Sequence, residues 1–67
     1  MVSHQANVVV QSYDEAADTF AVEIHHCWGG AEPIDAFPAM PAATMGVLLR
    51  QWGPPEMFTG RTFAIWF

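Results

Sequence analysis

All five prolines of this 67-residue chain lie between residues 33 and 55, at Pro33, Pro38, Pro41, Pro54 and Pro55. A proline donates no backbone hydrogen bond and fixes its own φ, so it is excluded from central strands and helix interiors. The prolines, with Gly29-Gly30 and Gly53, divide the chain into short segments. Beyond Gly29, each segment can hold one element of secondary structure at most.

The proline-free first 32 residues carry two strand patterns. Residues 6–13 contain Val8, Val9 and Val10, whose β-branched side chains suit a pleated surface. Residues 19–28 alternate: Phe20, Val22, Ile24, His26 and Trp28 fall on one face, and Ala21, Glu23, His25 and Cys27 on the other. Residues 14–18 are polar and aperiodic and read as a hairpin connection. Ser12-Tyr13-Asp14-Glu15 also fits a helix capping box, so one or two helical turns compete with the hairpin there. In either case the link is too short for a parallel crossover, and the two strands are expected as antiparallel neighbours.

Residues 29–41 hold two glycines and three prolines. They read as a long surface connection with a short extended piece at 34–37. Ile34, Phe37 and Met40 are expected to fold back over the core as a lid. Residues 41–52 read as the one helix. Pro41 suits its first turn, and Met45, Leu48, Leu49 and Trp52 follow the spacing of a single apolar face. Gly53 is the expected C-terminal cap, and Pro54-Pro55 stops the helix. Gly46 weakens it, by about 1 kcal/mol relative to Ala, and offers a close approach to the sheet. Residues 61–67 read as the last strand, with Phe63, Ile65 and Phe67 on one face and Trp66 on the other.

The expected fold is α+β, one small domain over residues 1–67. It has a three-stranded antiparallel sheet, element order β-β-α-β, with one helix packed on one face. A folded chain of this mass buries only about 60% of the surface its extended form exposes. Self-association or a partner is a natural source of extra stability for such a chain.

Charge narrows the function. Seven acids stand against two bases, Arg50 and Arg61, and there is no lysine. A phosphate-tracking groove or a polybasic lipid contact needs several cations, so direct binding to nucleic acid or membrane is not expected. No apolar run reaches the roughly 18 residues of a membrane span, and Met1-Val2-Ser3-His4 lacks the pattern of a signal peptide. With Cys27 as the one cysteine, no internal disulfide forms, and a cytoplasmic location is expected.

His25-His26-Cys27 is the strongest chemical cluster. Alternation puts His25 and Cys27 on one strand face, where two side chains can supply imidazole and thiolate ligands. His4 or Glu23 could add a third. No second ligand motif follows, so a closed site would need unusual ligands or a second chain. A Cys27–His25 nucleophile pair lacks a distinct orienting acid apart from Glu23. No phosphate loop, dinucleotide fingerprint or zinc-protease motif is present. Neither an enzymatic activity nor a cofactor is expected.

Two other features point to protein binding. Asp14, Glu15 and Asp18 cluster in the first connection, and Glu32 and Asp35 charge the long loop. Trp28 sits at a strand end beside two glycines, Trp66 points away from the main apolar face of the last strand, and tryptophan is enriched at binding hot spots. Compact, acidic chains of this kind resemble the inhibitors that phages encode against host machinery, anti-CRISPR proteins among them. The resemblance is one of size and charge and covers no specific residue. The expected function is a small acidic protein-binding module of that inhibitor type. Asp14, Glu15, Asp18, Glu32 and Asp35 would meet a basic surface of a nucleic-acid-handling protein, with Trp28 or Trp66 as anchors. The alternative is a homo-oligomeric metal- or small-molecule-binding module, in which His25 and Cys27 from two chains of a homodimer complete one site.

Overall fold

The computed structural model of the protein describes residues 4–28 and 32–66. Four strands and one helix are present: β1 (Gln5–Asp14), β2 (Thr19–His26), β3 (Asp35–Pro41), α1 (Ala42–Leu49) and β4 (Thr62–Trp66), with a 3₁₀ turn at Pro55–Met57. The sheet order is β3-β2-β1-β4, and every neighbouring pair is antiparallel.

The α+β class holds, but the sheet has four strands, which corrects the expected three. The added strand is β3, in the stretch expected to be a surface connection. Prolines exclude a segment from the middle of a sheet, not from its rim. Backbone pairing alternates in direction along a strand. Phe37 lies opposite Val22 and Met40 opposite Phe20, with the register slipping between Phe20 and Val22. Phe37 and Met40 therefore turn their amides toward β2. Pro38 and Pro41 present their donor-less nitrogens to the outer edge, where no strand needs them.

The β1–β2 hairpin forms as expected. Its turn is held by the Asp14 carboxylate, which accepts from the amides of Ala16 and Ala17 at 3.1 and 3.3 Å. Asp18 closes the turn with φ at 55°. The register slips between Val10 and Ser12, so Gln11 is an extra residue in β1. That slip keeps Val10 and Tyr13 on the same face, with Tyr13 opposite Phe20.

One face of the sheet carries the core. Ala6, Val8 and Val10 of β1, Phe20 and Val22 of β2, Met40 of β3 and Ile65 of β4 are buried there. Met45 and Leu49 of α1 close over them, and Phe58 fills the gap beyond the 3₁₀ turn. Phe58 links Phe20, 5.9 Å away, to Phe63, 5.7 Å away, so ring contacts run across the core. The sequence reading did not assign Phe58 to the core.

The helix is shorter than the expected 41–52. It ends where Arg50 enters the left-handed region, at φ 56° and ψ 38°. The Arg50 amide donates to the Gly46 carbonyl, and Gln51 does so as well, at 3.2 Å. The chain then doubles back and lays the Trp52 indole against Gly46. A Cβ on Gly46 would come within 2.8 Å of the indole Cδ1. The missing side chain thus makes room for Trp52 rather than for the sheet. Trp52, expected on the core face of the helix, is 69% exposed, and Gly53 is not the cap.

Candidate protein-binding groove

A helix of two turns spans about 12 Å, whereas β1 with ten residues spans about 33 Å. One helix therefore cannot roof this sheet. The uncovered part of the core face lies over β2 and β3 and forms an open groove of about 490 Å³. Ile24 and Met40 floor it, Phe37 and Pro38 form one wall, and Thr44 and Leu48 of α1 form the other. The lining is almost wholly apolar and contains no arginine.

The groove continues past Ile24. The amide of Ile34 donates to the Ile24 carbonyl at 2.7 Å, which lays Ile34 beside it, half exposed. Along β2 the next residue on the same face is His26. Its ring stacks on Trp28 at 4.2 Å with the planes 11° apart. Trp28 is 76% exposed and extends this apolar strip at its end.

Carboxylates stand at both ends of the groove. Asp35 lies opposite Ile24 at one end, with exposed Glu32 just before it. At the other end β3 passes through Pro41 into α1, and the Ala42 amide donates to the Asp18 carbonyl at 3.0 Å. That bond places the Asp14–Asp18 turn, with exposed Glu15, at the mouth. None of the seven residues expected to bind a partner lines the groove itself; Asp35 and Asp18 are tied through the backbone to its two ends, with Glu32 near Asp35 in sequence, Asp14 and Glu15 in the turn that Asp18 closes, and Trp28 beyond the end of β2. Trp66 lies apart from these. It sits on β4 at the opposite edge, on the other face of the sheet, 67% exposed.

Two of these acids also build the turn. Asp14 holds backbone amides, as described. Asp18 accepts the Tyr13 hydroxyl at 2.5 Å. That hydrogen bond, with lesser effects from burial and from the charges of Asp18, Glu15 and Asp14, pushes the Tyr13 pKa up from 10.0 to about 12. Asp35 accepts from the Ala36 amide at 2.8 Å. Glu15 and Glu32 stand free of any such role among the bonds of the described residues.

The open face of the sheet is polar by comparison. His25 Nε2 lies 3.0 Å from Glu23 Oε1, so the imidazole faces a carboxylate two residues back in its own strand. Cys27 is exposed beyond the strand end. Among the described residues no group of three or more His, Cys, Asp or Glu side chains converges as a metal site. Gly29 and Gly30, the two glycines that close the 19–28 segment, lie outside the described residues.

Sequence reasoning missed the groove walls. Ile34 and Phe37 were expected to fold down as a lid, yet only Met40 of that trio is buried. Leu48 was expected in the core and is half-buried at the groove rim. The sequence carried no signal for this, because it depends on a helix of two turns and a sheet of four strands, and the spacing shows neither. No protein-family model, curated protein or solved structure matches this chain. Among the described residues no helix is long and apolar enough to cross a membrane.

Proposed function

We propose that this chain is a small protein-binding module that seats a basic, amphipathic segment of its partner in the groove between α1 and β3. The observation that supports the reading is the pairing of an apolar trough with carboxylates at both ends and no cation in its lining. Apolar burial supplies affinity, and the acids select for Lys and Arg flanking the buried side chains. The trough runs along β3 from Phe37 to Pro41, five residues or about 17 Å, which matches a helix of about three turns. Strand addition at this edge is disfavoured, because Pro38 and Pro41 offer no outward donors.

The mechanism is steric and electrostatic. A basic segment held in this trough is withheld from the polyanion it would otherwise contact, and nucleic acid is the commonest such polyanion. The setting we propose is therefore an inhibitor of a nucleic-acid-handling protein, of the phage-encoded type, acting in the cytoplasm, where a lone exposed thiol such as Cys27 stays reduced. The chain itself performs no bond-breaking step in this reading.

The test is fluorescence anisotropy with two labelled amphipathic helical peptides that share one leucine face. One carries Lys and Arg on its polar face, the other Glu. The basic peptide is expected to bind, more weakly as salt rises. Reversing the exposed pair Glu32→Lys and Asp35→Lys is expected to lower affinity about tenfold, since two rim charges change sign. Equal binding of the acidic peptide, or unchanged affinity after the double reversal, overturns the proposal.

A further inference from the structure

The two edges of the sheet are built differently, and the difference assigns a partner to one of them. The β3 edge is blunted by two outward-facing prolines and a register slip. The β4 edge, Thr-Phe-Ala-Ile-Trp, holds no proline, no glycine and no charge. Its inner side is used by β1. Val10 donates to the Arg61 carbonyl at 2.9 Å, and its own carbonyl accepts from Gly60 at 2.9 Å. Val10 therefore turns its backbone groups toward β4, and by alternation Val8 and Ala6 do too. Phe63 and Ile65 lie opposite Val8 and Ala6 and spend their amides on β1. Thr62, Ala64 and Trp66 then point their N–H and C=O groups outward, to an edge with no further strand among the described residues.

We propose that this edge pairs with a second copy of itself, antiparallel about a twofold axis at Ala64, to join two sheets into one of eight strands. The register is self-complementary. Ala64 meets Ala64 of the second copy and exchanges two hydrogen bonds. Thr62 meets Trp66 of the second copy, and the reciprocal pair does the same. Every outward donor thus finds an outward acceptor, with none left over. The two faces match as well: Phe63 meets Ile65 on the core face, and Trp66 covers Thr62 on the open face.

Charge permits the approach. The chain carries a net charge of −5, which opposes self-association in general. No acid lies in β4 or among the residues that line the cleft between its outer edge and the helix end, and Arg50 lines that cleft. The second base, Arg61, directly precedes β4. The repelling carboxylates around the groove are at the far edge, beyond β1 and β2. Each exposed Trp66 can contribute part of the roughly 150–250 Å² that a large aromatic ring buries. Two short strands and two rings stay below the ~1,200 Å² of a standard interface, so the dimer is weak, with Kd on the order of 10–100 µM. The grooves remain at the two outer ends of the joined sheet, and the inference stands whether or not they bind a basic segment.

Sedimentation velocity across concentrations that bracket this constant is the first measurement. A monomer–dimer equilibrium is expected. Ala64→Pro removes an outward donor that none of the described strands uses, so it is expected to fold normally and raise Kd at least about tenfold. Ala64→Lys sets two like charges opposite each other at the axis and is expected to do the same. Mixing Ala64→Lys with Ala64→Glu is expected to restore the dimer, because only a twofold register at this residue brings the two together. In amide exchange, Thr62, Ala64 and Trp66 should gain protection with concentration, while Phe63 and Ile65 are protected throughout. A chain that stays monomeric well above this range overturns the inference. So does a dimer indifferent to all three substitutions.

Discussion

Tyr13 is the only tyrosine in the chain, so its ionisation can be read without interference from another phenol. In the folded state its hydroxyl donates to Asp18, and this raises its pKa from 10.0 to about 12. The neutral phenol is the form the fold favours, because an ionised one could not donate and would face a carboxylate. The unfolded chain gives up this proton near pH 10, whereas the folded chain holds it to about 12. Between those values the unfolded state binds fewer protons, so stability falls as pH rises. The contribution is fully present below pH 10 and is lost through the window up to about 12.

The perturbation is Asp18→Gly. Glycine tolerates the φ of 55° at this position, so the turn is kept while the acceptor is removed. Phenolate absorbance against pH is the assay, followed together with near-UV circular dichroism so that only folded protein is scored. The wild-type midpoint is expected near 12, and that of the variant back toward 10. A wild-type midpoint at 10, or equal midpoints in the two proteins, would refute the reasoning. The outcome bears on function. If it holds, Asp18 shapes the groove mouth and is not a side chain free to swing onto a partner.

Two further predictions concern stability. Val8 is wholly buried in the second strand from the β4 edge, and Val8→Ala is expected to cost about 2–3 kcal/mol from lost transfer energy plus the cavity. Val9→Ala, on the open face, is expected to cost less than about 1 kcal/mol, and equal urea midpoints for the two would contradict the assignment of faces. Arg50→Gly relieves a left-handed backbone that costs a side-chain-bearing residue about 1–2 kcal/mol, partly offset by the freer unfolded chain. A rise of a few degrees in Tm is expected, and a fall would show that the Arg50 side chain holds the helix end.

Much of the fold was legible because local pattern and tertiary outcome agree. The valines of β1, the alternation of β2 and the polar break at 14–18 specify a hairpin without help from the rest of the chain. Thr62–Trp66 was legible for the same reason. The third strand was not, because Pro38 and Pro41 read as strand breakers, and only the sheet order reveals that they face an edge. The helix end was hidden too. Met45, Leu49 and Trp52 fit one apolar face, and nothing in the spacing says that Arg50 turns left-handed and that Trp52 folds back on Gly46. The acids around the groove and Trp28 were identified from charge and position alone. Phe37, Ile24 and Leu48 were not, since whether they are core or rim depends on how much sheet one short helix leaves bare.

The position of β4 beside β1 has a kinetic consequence. Ala6 lies against Ile65, so this pairing closes a loop containing nearly the whole chain. The hairpin of β1 and β2 needs only a tight turn and can form within microseconds, whereas the last strand must be recruited from the other end of the sequence. Closing so long a loop is entropically costly and yields no reward until the strand docks. Until then β1 is itself an edge, with the backbone groups of Ala6, Val8 and Val10 bare beside an apolar face. The growing or refolding chain therefore passes through a stage in which its eventual interior is its stickiest rim. The speed of β4 arrival decides how long that stage lasts.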